Sequence, residues 1–227
     1  MKKTILLSLL TFLTANLLAQ NLIRFYENAK VGYKDESGKV IVQPNYVAGS
    51  DFYEGMALVL ENNMRGFINN KGEVAIPFMY NDASVFKGGL ARVMKGSKHG
   101  YINQKNEMVI PFAFEFADDF NNGMARVQKN GKWGFIDKTG KEIIPVTYGN
   151  ARNFSEGLAP VMQNGLWGFI DASNKFIISL QYKDAQQFTN GEALVSKDGK
   201  YFFIDKKGKF VRELKNHEEE ERERERH

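Results

Sequence analysis

The side chains that could do chemistry are few, and their spacing argues against most of it. Histidine occurs only as His99, His217 and His227, the last two in a charged C-terminal segment. No H-E-x-x-H, G-x-S-x-G or phosphate-binding glycine loop accompanies them. Carboxylates are the better prospect, because a glycosidase needs only two of them. Asp137, Asp171 and Asp205 recur at 34-residue intervals, and Asn69 and Asn103 hold the equivalent earlier places. Glu54 and Glu156 stand beside Gly55 and Gly157. An Asp or Asn that recurs between a strand and a turn accepts hydrogen bonds from its own backbone. A catalytic pair would break the repeat, whereas these residues follow it. The chain has no cysteine, which removes disulfides, thiolate metal sites and a thiol nucleophile. The expectation is a protein that is not an enzyme, with no catalytic residues, no metal ligands and no cofactor; its binding residues are unknown at this stage.

Aromatic rings are the stronger functional lead. Trp133, Phe135, Trp167 and Phe169 lie at alternating positions beside Gly134 and Gly168. Exposed, such rings could stack on sugars or grip a peptide. The structural alternative is that they cover the neighbouring unit, with the glycine making room for a ring. His99 occupies the same column as the tryptophans and reads as a substituted structural position.

The elements that must position these groups are set by a repeat, which is sought before anything else. Gly32, Gly66, Gly100, Gly134 and Gly168 recur at the same interval as the aspartates, with Phe202 in the next place. Phe52, Phe86, Phe120, Phe154 and Phe188 form a second column, and Ala57, Ala91, Ala125, Ala159 and Ala193 a third. Within a copy the residues alternate, and Asn130-Gly131 and Thr139-Gly140 mark hairpin turns. The pattern predicts strands at 125–129, 133–137 and 142–144, with Pro77, Pro111 and Pro145 ending the third strand in their copies. Six such meanders begin near residues 22, 56, 90, 124, 158 and 192. In the connectors, Tyr148, Ala151 and Phe154 are spaced by three, which predicts a tight loop or single 3₁₀-like turn ending at Gly157.

The predicted fold is therefore all-β: a tandem array over residues 20–214, with units near 22–55, 56–89, 90–123, 124–157, 158–191 and 192–213. One meander barely shelters an apolar face, so stacking must complete it. An open or gently coiled array is preferred, because a propeller blade usually has four strands. A closed propeller-like ring is the alternative.

The segments GKWGFIDKTGKEIIP (131–145) and GLWGFIDASNKFIIS (165–179) resemble the WG repeat, also called the KWG repeat, of bacterial proteins. The continuation Y-x-x-A-x-x-F-x-E-G-L-A-x-V at 148–161 is similar to the same repeat. The tryptophan itself survives only as Trp133 and Trp167; Val31, Arg65, His99 and Tyr201 replace it elsewhere. The resemblance implies a β-repeat array, often exported or envelope-associated, with no general activity attached.

Residues 1–19 have the layout of a secretory signal peptide, with Lys2 and Lys3 ahead of an apolar stretch and a small residue at Ala19. Export to the periplasm, the outer surface or the medium is expected, with no membrane span after cleavage. The net charge is +4 over the whole chain and the basic residues do not gather in one run, which argues against a nucleic-acid partner. Residues 215–227 read as a solvated, disordered or frayed-helical tail with Glu218/Arg222 and Glu220/Arg224 pairs. The function that fits is a non-enzymatic binding or scaffold surface for another, unidentified protein. A carbohydrate-binding module for cell-wall or extracellular glycan is the alternative.

Overall fold

The computed structural model describes residues 22–214, so the predicted signal peptide and charged tail lie outside the described residues. All regular structure there is strand, in six antiparallel sheets that follow one another along the chain. The first sheet holds β1 (Ile23–Glu27), β2 (Lys30–Lys34) and β3 (Val40–Tyr46). The second holds β4 (Ala48–Gly49), β5 (Met56–Glu61), β6 (Met64–Asn69) and β7 (Val74–Tyr80). The third holds β8 (Asp82–Ala83), β9 (Ala91–Lys95), β10 (Lys98–Ile102) and β11 (Met108–Phe114). The fourth holds β12 (Phe116–Ala117), β13 (Met124–Lys129), β14 (Lys132–Asp137) and β15 (Glu142–Tyr148). The fifth holds β16 (Asn150–Ala151), β17 (Ala159–Gln163), β18 (Leu166–Ile170) and β19 (Phe176–Tyr182), and the sixth β20 (Asp184–Ala185), β21 (Glu192–Lys197), β22 (Lys200–Asp205) and β23 (Phe210–Glu213).

The predicted meander is present, and its first turn is as expected. Asn130 and Gly131 have φ of 51° and 69°. That is the paired left-handed conformation of a tight hairpin turn, which matches strand twist. Two expectations need correction. The connector is not a helical turn. Asn150 and Ala151 pair with Met162 and Val161, adding a fourth strand from the preceding copy. A second hairpin turn at Glu156 and Gly157, with φ of 52° and 90°, then leads back into β17. The three-residue spacing of Tyr148, Ala151 and Phe154 comes from irregular backbone on either side of this short strand.

The third strand also does not stop at proline. In the fourth sheet Phe135 faces Ile144, but Trp133, two residues back, faces Tyr148, four residues on. The extra residues form a bulge that arches over Gly134, and Pro145 sits in it, where no ladder donor is needed. A Cβ on Gly134 would lie 2.6 Å from the Ile144 carbonyl oxygen and 2.7 Å from the Val146 Cα. At Gly100, Gly134 and Gly168 the glycine makes room for backbone, whereas at Gly32 it makes room for the Phe25 ring, 2.9 Å from such a Cβ, as well as for the Val42 carbonyl at 2.7 Å. The sixth copy supports this: Phe202 replaces the glycine, and Phe202 and Phe203 pair without a shift against Glu213 and Arg212.

Successive sheets stack face to face. Each of five apolar clusters joins two consecutive sheets, such as Phe135, Ile144 and Tyr148 of the fourth with Ala159, Val161 and Ile170 of the fifth. At every junction an aromatic from one sheet meets the connector phenylalanine of the next. The centroids are 5.2 Å apart for Tyr33–Phe52, 4.9 Å for Phe67–Phe86 and 4.8 Å for Tyr101–Phe120. Phe135–Phe154 and Phe169–Phe188 are each at 4.9 Å. Such pairs add about 0.5–1.5 kcal/mol beyond the area they bury. Five of the six sheets have the four strands of a propeller blade, so the strand count does not argue for an open array as the sequence suggested. Among the described residues, however, no apolar cluster joins the first sheet to the last. The sixth sheet leaves Tyr201 49% and Phe210 61% exposed.

Candidate functional site

The groups singled out for chemistry are held apart, one to each turn. Asp137 Oδ1 accepts the backbone N–H of Thr139 at 2.8 Å and of Lys141 at 3.0 Å, and the Thr139 hydroxyl at 2.6 Å. Asp171 does the same with Ser173 and Lys175, and Asn69 and Asn103 with the amides of their own turns. The Thr139 hydroxyl holds the Asp137 carboxyl below its usual range, and Ser173 does so for Asp171, since a bond donated to the charged form favours it. These are turn-forming anions, and the repeat keeps each at a different junction. His99 lies half-buried beside Phe116, with ring centroids 6.3 Å apart. Burial and then the Arg92 charge push its imidazole below the ordinary value, because both disfavour the cation. Among the described residues, no group of three or more acidic or imidazole side chains could hold a metal ion.

Both tryptophans pack with the apolar clusters between sheets, Trp167 within the fifth–sixth cluster and Trp133 against the fourth–fifth one. Trp167 is 5% exposed and Trp133 is half-buried, and each carries a guanidinium over its ring. The centre of the Arg126 guanidinium is 4.7 Å from the Trp133 ring centroid, and that of Arg152 is 5.2 Å from Trp167. Arg126 is held in turn by Asp118 at 3.0 Å and by the Ala151 carbonyl at 2.7 Å.

A cavity opens at one rim of the fourth–fifth junction, with a volume of about 210 Å³. Asn121, Asn122 and Met124 of the fourth sheet form one side, and Asn153, Phe154 and Glu156 of the fifth form the other. Phe135 and Ala172, the second in the β18–β19 turn, also line it. Three other junctions show why it opens here. Gln104 Nε2 reaches back 50 residues to donate to the Glu54 carbonyl at 2.8 Å. Lys138 Nζ donates to the Gly88 carbonyl at 2.8 Å. Lys206 Nζ pairs with the Glu156 carboxylate at 3.0 Å. Each is a side-chain strap from a β-turn to the connector turn of the preceding sheet. The equivalent pair at the fourth–fifth junction is Ala172 and Asn122, and alanine has no arm to extend.

The buried rings report the same difference. Phe86, Phe120 and Phe188, at the strapped junctions, are 1%, 5% and 0% exposed. Phe154, at the unstrapped junction, is only half-buried. So is Phe52, which packs on the first sheet, three-stranded among the described residues. Sequence reading could see that Ala172 is the odd member of the column Gln104, Lys138 and Lys206. It had no means of seeing the partner, because the strap's separation of 50 residues is not a multiple of the repeat.

Comparison with known proteins fits this architecture. The model of the WG containing repeat matches residues 32–64, 66–98, 100–133, 133–167 and 167–201. That is more than half of the chain, which therefore belongs to the WG-repeat family. A search among curated proteins finds no match. Among solved structures, that of a eukaryotic initiation factor aligns with a TM-score of 0.52 at 11% identity, covering 87% of this chain and 63% of that one. Hsv2 of Kluyveromyces lactis aligns at 0.47 and 10% identity, covering 90% of this chain and 74% of that one. At such identities the initiation-factor likeness is one of fold alone.

Proposed function

We propose that this chain is a non-enzymatic, exported repeat protein whose stacked sheets present a binding surface for another protein. The observation that carries this reading is the contrast between a constant interior and a broken rim. The ring pairs recur at every junction within a few tenths of an ångström. The rim residues change from copy to copy, and at one junction they leave a cavity with both apolar and polar walls. Pockets of that mixed lining suit side chains of a partner, with apolar area for affinity and amides for orientation. The glycan alternative draws less support, because sugar stacking needs free ring faces and both tryptophans lie under guanidinium groups, which already engage the ring faces. Export rests on the sequence of residues 1–19, which has a signal peptide's layout. Among the described residues, no helix is long and apolar enough to cross a membrane.

Cross-linking in intact cells, followed by purification of the chain, tests this reading. One defined protein is expected to co-purify. Recovery of no protein, together with retention of the chain on a purified envelope polysaccharide, would overturn it.

A further inference from the structure

We propose that the cavity at the fourth–fifth junction is a socket for a lysine side chain of the partner protein. The inference rests on the protein-binding reading above and names the chemistry of one contact. The chain itself supplies the template. Lys138 and Lys206 occupy the equivalent spaces at their own junctions and end on a carbonyl and a carboxylate of the preceding connector turn. Gln104 ends on the same kind of carbonyl. All three are hydrogen-bond donors carried on an aliphatic stem. At the fourth–fifth junction the stem is missing and the receiving turn remains.

The walls match a guest of the same kind. Phe154 and Met124 offer apolar surface to methylenes, as stems of charged side chains require. Among the lining residues, Asn121, Asn122 and Asn153 carry amide oxygens and Asp119 and Glu156 carboxylates, and the group equivalent to the strap acceptors at Glu54 and Gly88 is the Asn122 carbonyl. Arg126 is the one cation in the lining, and its charge is already engaged by Asp118, by the Ala151 carbonyl and by the Trp133 ring. Asp119 already has a cationic neighbour, Arg92 at 3.3 Å, and the Glu156 carboxylate is turned to the sixth sheet, where Lys206 at 3.0 Å and the Gly191 amide at 3.1 Å and 3.2 Å engage both its oxygens. A carboxylate can accept bonds from two directions, so a second ammonium can share Asp119. An anionic guest would meet two carboxylates and no free donor charge. The cavity's volume of about 210 Å³ is more than tenfold what one water needs, which leaves room for a butylammonium stem.

The test titrates the chain with Nα-acetyl-lysine methylamide and, separately, with its norleucine counterpart, which has the stem and lacks the ammonium. Amide resonances are followed by NMR. The lysine probe is expected to shift Asn122, Glu156 and Ala172 saturably, and the norleucine probe to bind about tenfold more weakly or not at all. Ala172→Lys rebuilds the strap and should abolish the shifts while the protein melts no lower than the parent. Ala172→Gln, copied from the Gln104 junction, serves as a second filled socket. The proposal is overturned if both probes bind alike, if no saturable shift occurs at those amides, or if a folded Ala172→Lys or Ala172→Gln protein binds the lysine probe unchanged. The two readings separate cleanly in cells. A cross-linked protein recovered equally from parent and Ala172→Lys would sink the socket and spare the protein-binding surface. Probe binding with no protein recovered would do the reverse.

Discussion

The fourth–fifth and fifth–sixth junctions are built from the same parts and sealed differently. Each centres on a pair of phenylalanine rings 4.9 Å apart, Phe135–Phe154 in one and Phe169–Phe188 in the other. At the fifth–sixth rim, Lys206 pairs with Glu156, which also accepts the Gly191 amide at 3.1 Å. Gln187 donates to the Asn153 carbonyl at 2.7 Å, and the Ser155 hydroxyl donates to the Phe188 carbonyl at 2.6 Å. At the fourth–fifth rim the matching positions hold Ala172, Asn153 and Asn121, and a cavity lies between the turns. The ring geometry is unchanged. Cohesion between sheets therefore resides in the apolar clusters, and the polar straps control access to them.

That division can be broken or sharpened by experiment. The largest effects should come from the rings. Phe188→Ala removes a fully buried side chain and should cost about 3–5 kcal/mol in chemical denaturation. Phe154→Ala removes a half-exposed one and should cost clearly less; equal losses would mean that the straps do not govern burial. The tryptophans come next. Trp167→Ala should lower stability more than Trp133→Ala, because the first ring is buried and the second is half-open to solvent, and the loss follows the area and volume removed from the core. An inverse order would show the Arg126–Trp133 stack to matter more than burial.

Strap effects are smaller. Ala172→Lys should raise the melting temperature by about 1–3 °C, the size of one added polar tie in a protein of this length. Lys206→Ala should lower it slightly and speed hydrogen exchange at the Gly191 amide, with no change at Asn122. The smallest effect is one of pH. Lys206 first, and then the Gly191 amide, hold the Glu156 carboxyl below its ordinary 4.5. A group lowered in the folded state favours folding above its unfolded pKa and ceases to do so as pH falls through the lowered value. Acidification below about pH 4.5 should therefore loosen the fifth–sixth rim, read by exchange at Gly191, and lose that selectivity in Glu156→Gln.

The strands of this fold were legible because alternation and turn residues are local. The predicted strand at 133–137 and the Asn130-Gly131 turn need only their neighbours to be recognised. The Asp137 column was legible for the same reason, since its partners lie two and four residues away. The connector misled because Tyr148, Ala151 and Phe154 mimic a helical spacing that bulge and turn geometry can also produce. Pro145 misled because a strand can pass through a proline when a bulge carries it. The cavity was not legible at all. It depends on a strap that is missing between copies, from Ala172 to Asn122, a pairing offset from the repeat by half a unit.

The arch over the glycine column has a consequence for how such a chain can change. Gly134 and the Pro145 arch are two pieces of one joint, since any side chain at the first would strike the backbone of the second. Copying a whole repeat keeps both pieces together, so duplication is tolerated. Altering one piece alone is not: a glycine replaced beneath an intact arch collides, and an arch straightened above a glycine leaves a hole. The sixth sheet, with Phe202 and a third strand that pairs without the arch, has exchanged both. Inheritance along this array should therefore tie the glycine to the arch itself and not to its proline, since Gly32 and Gly168 keep the arch with Gln43 and Ser179 in the proline's place.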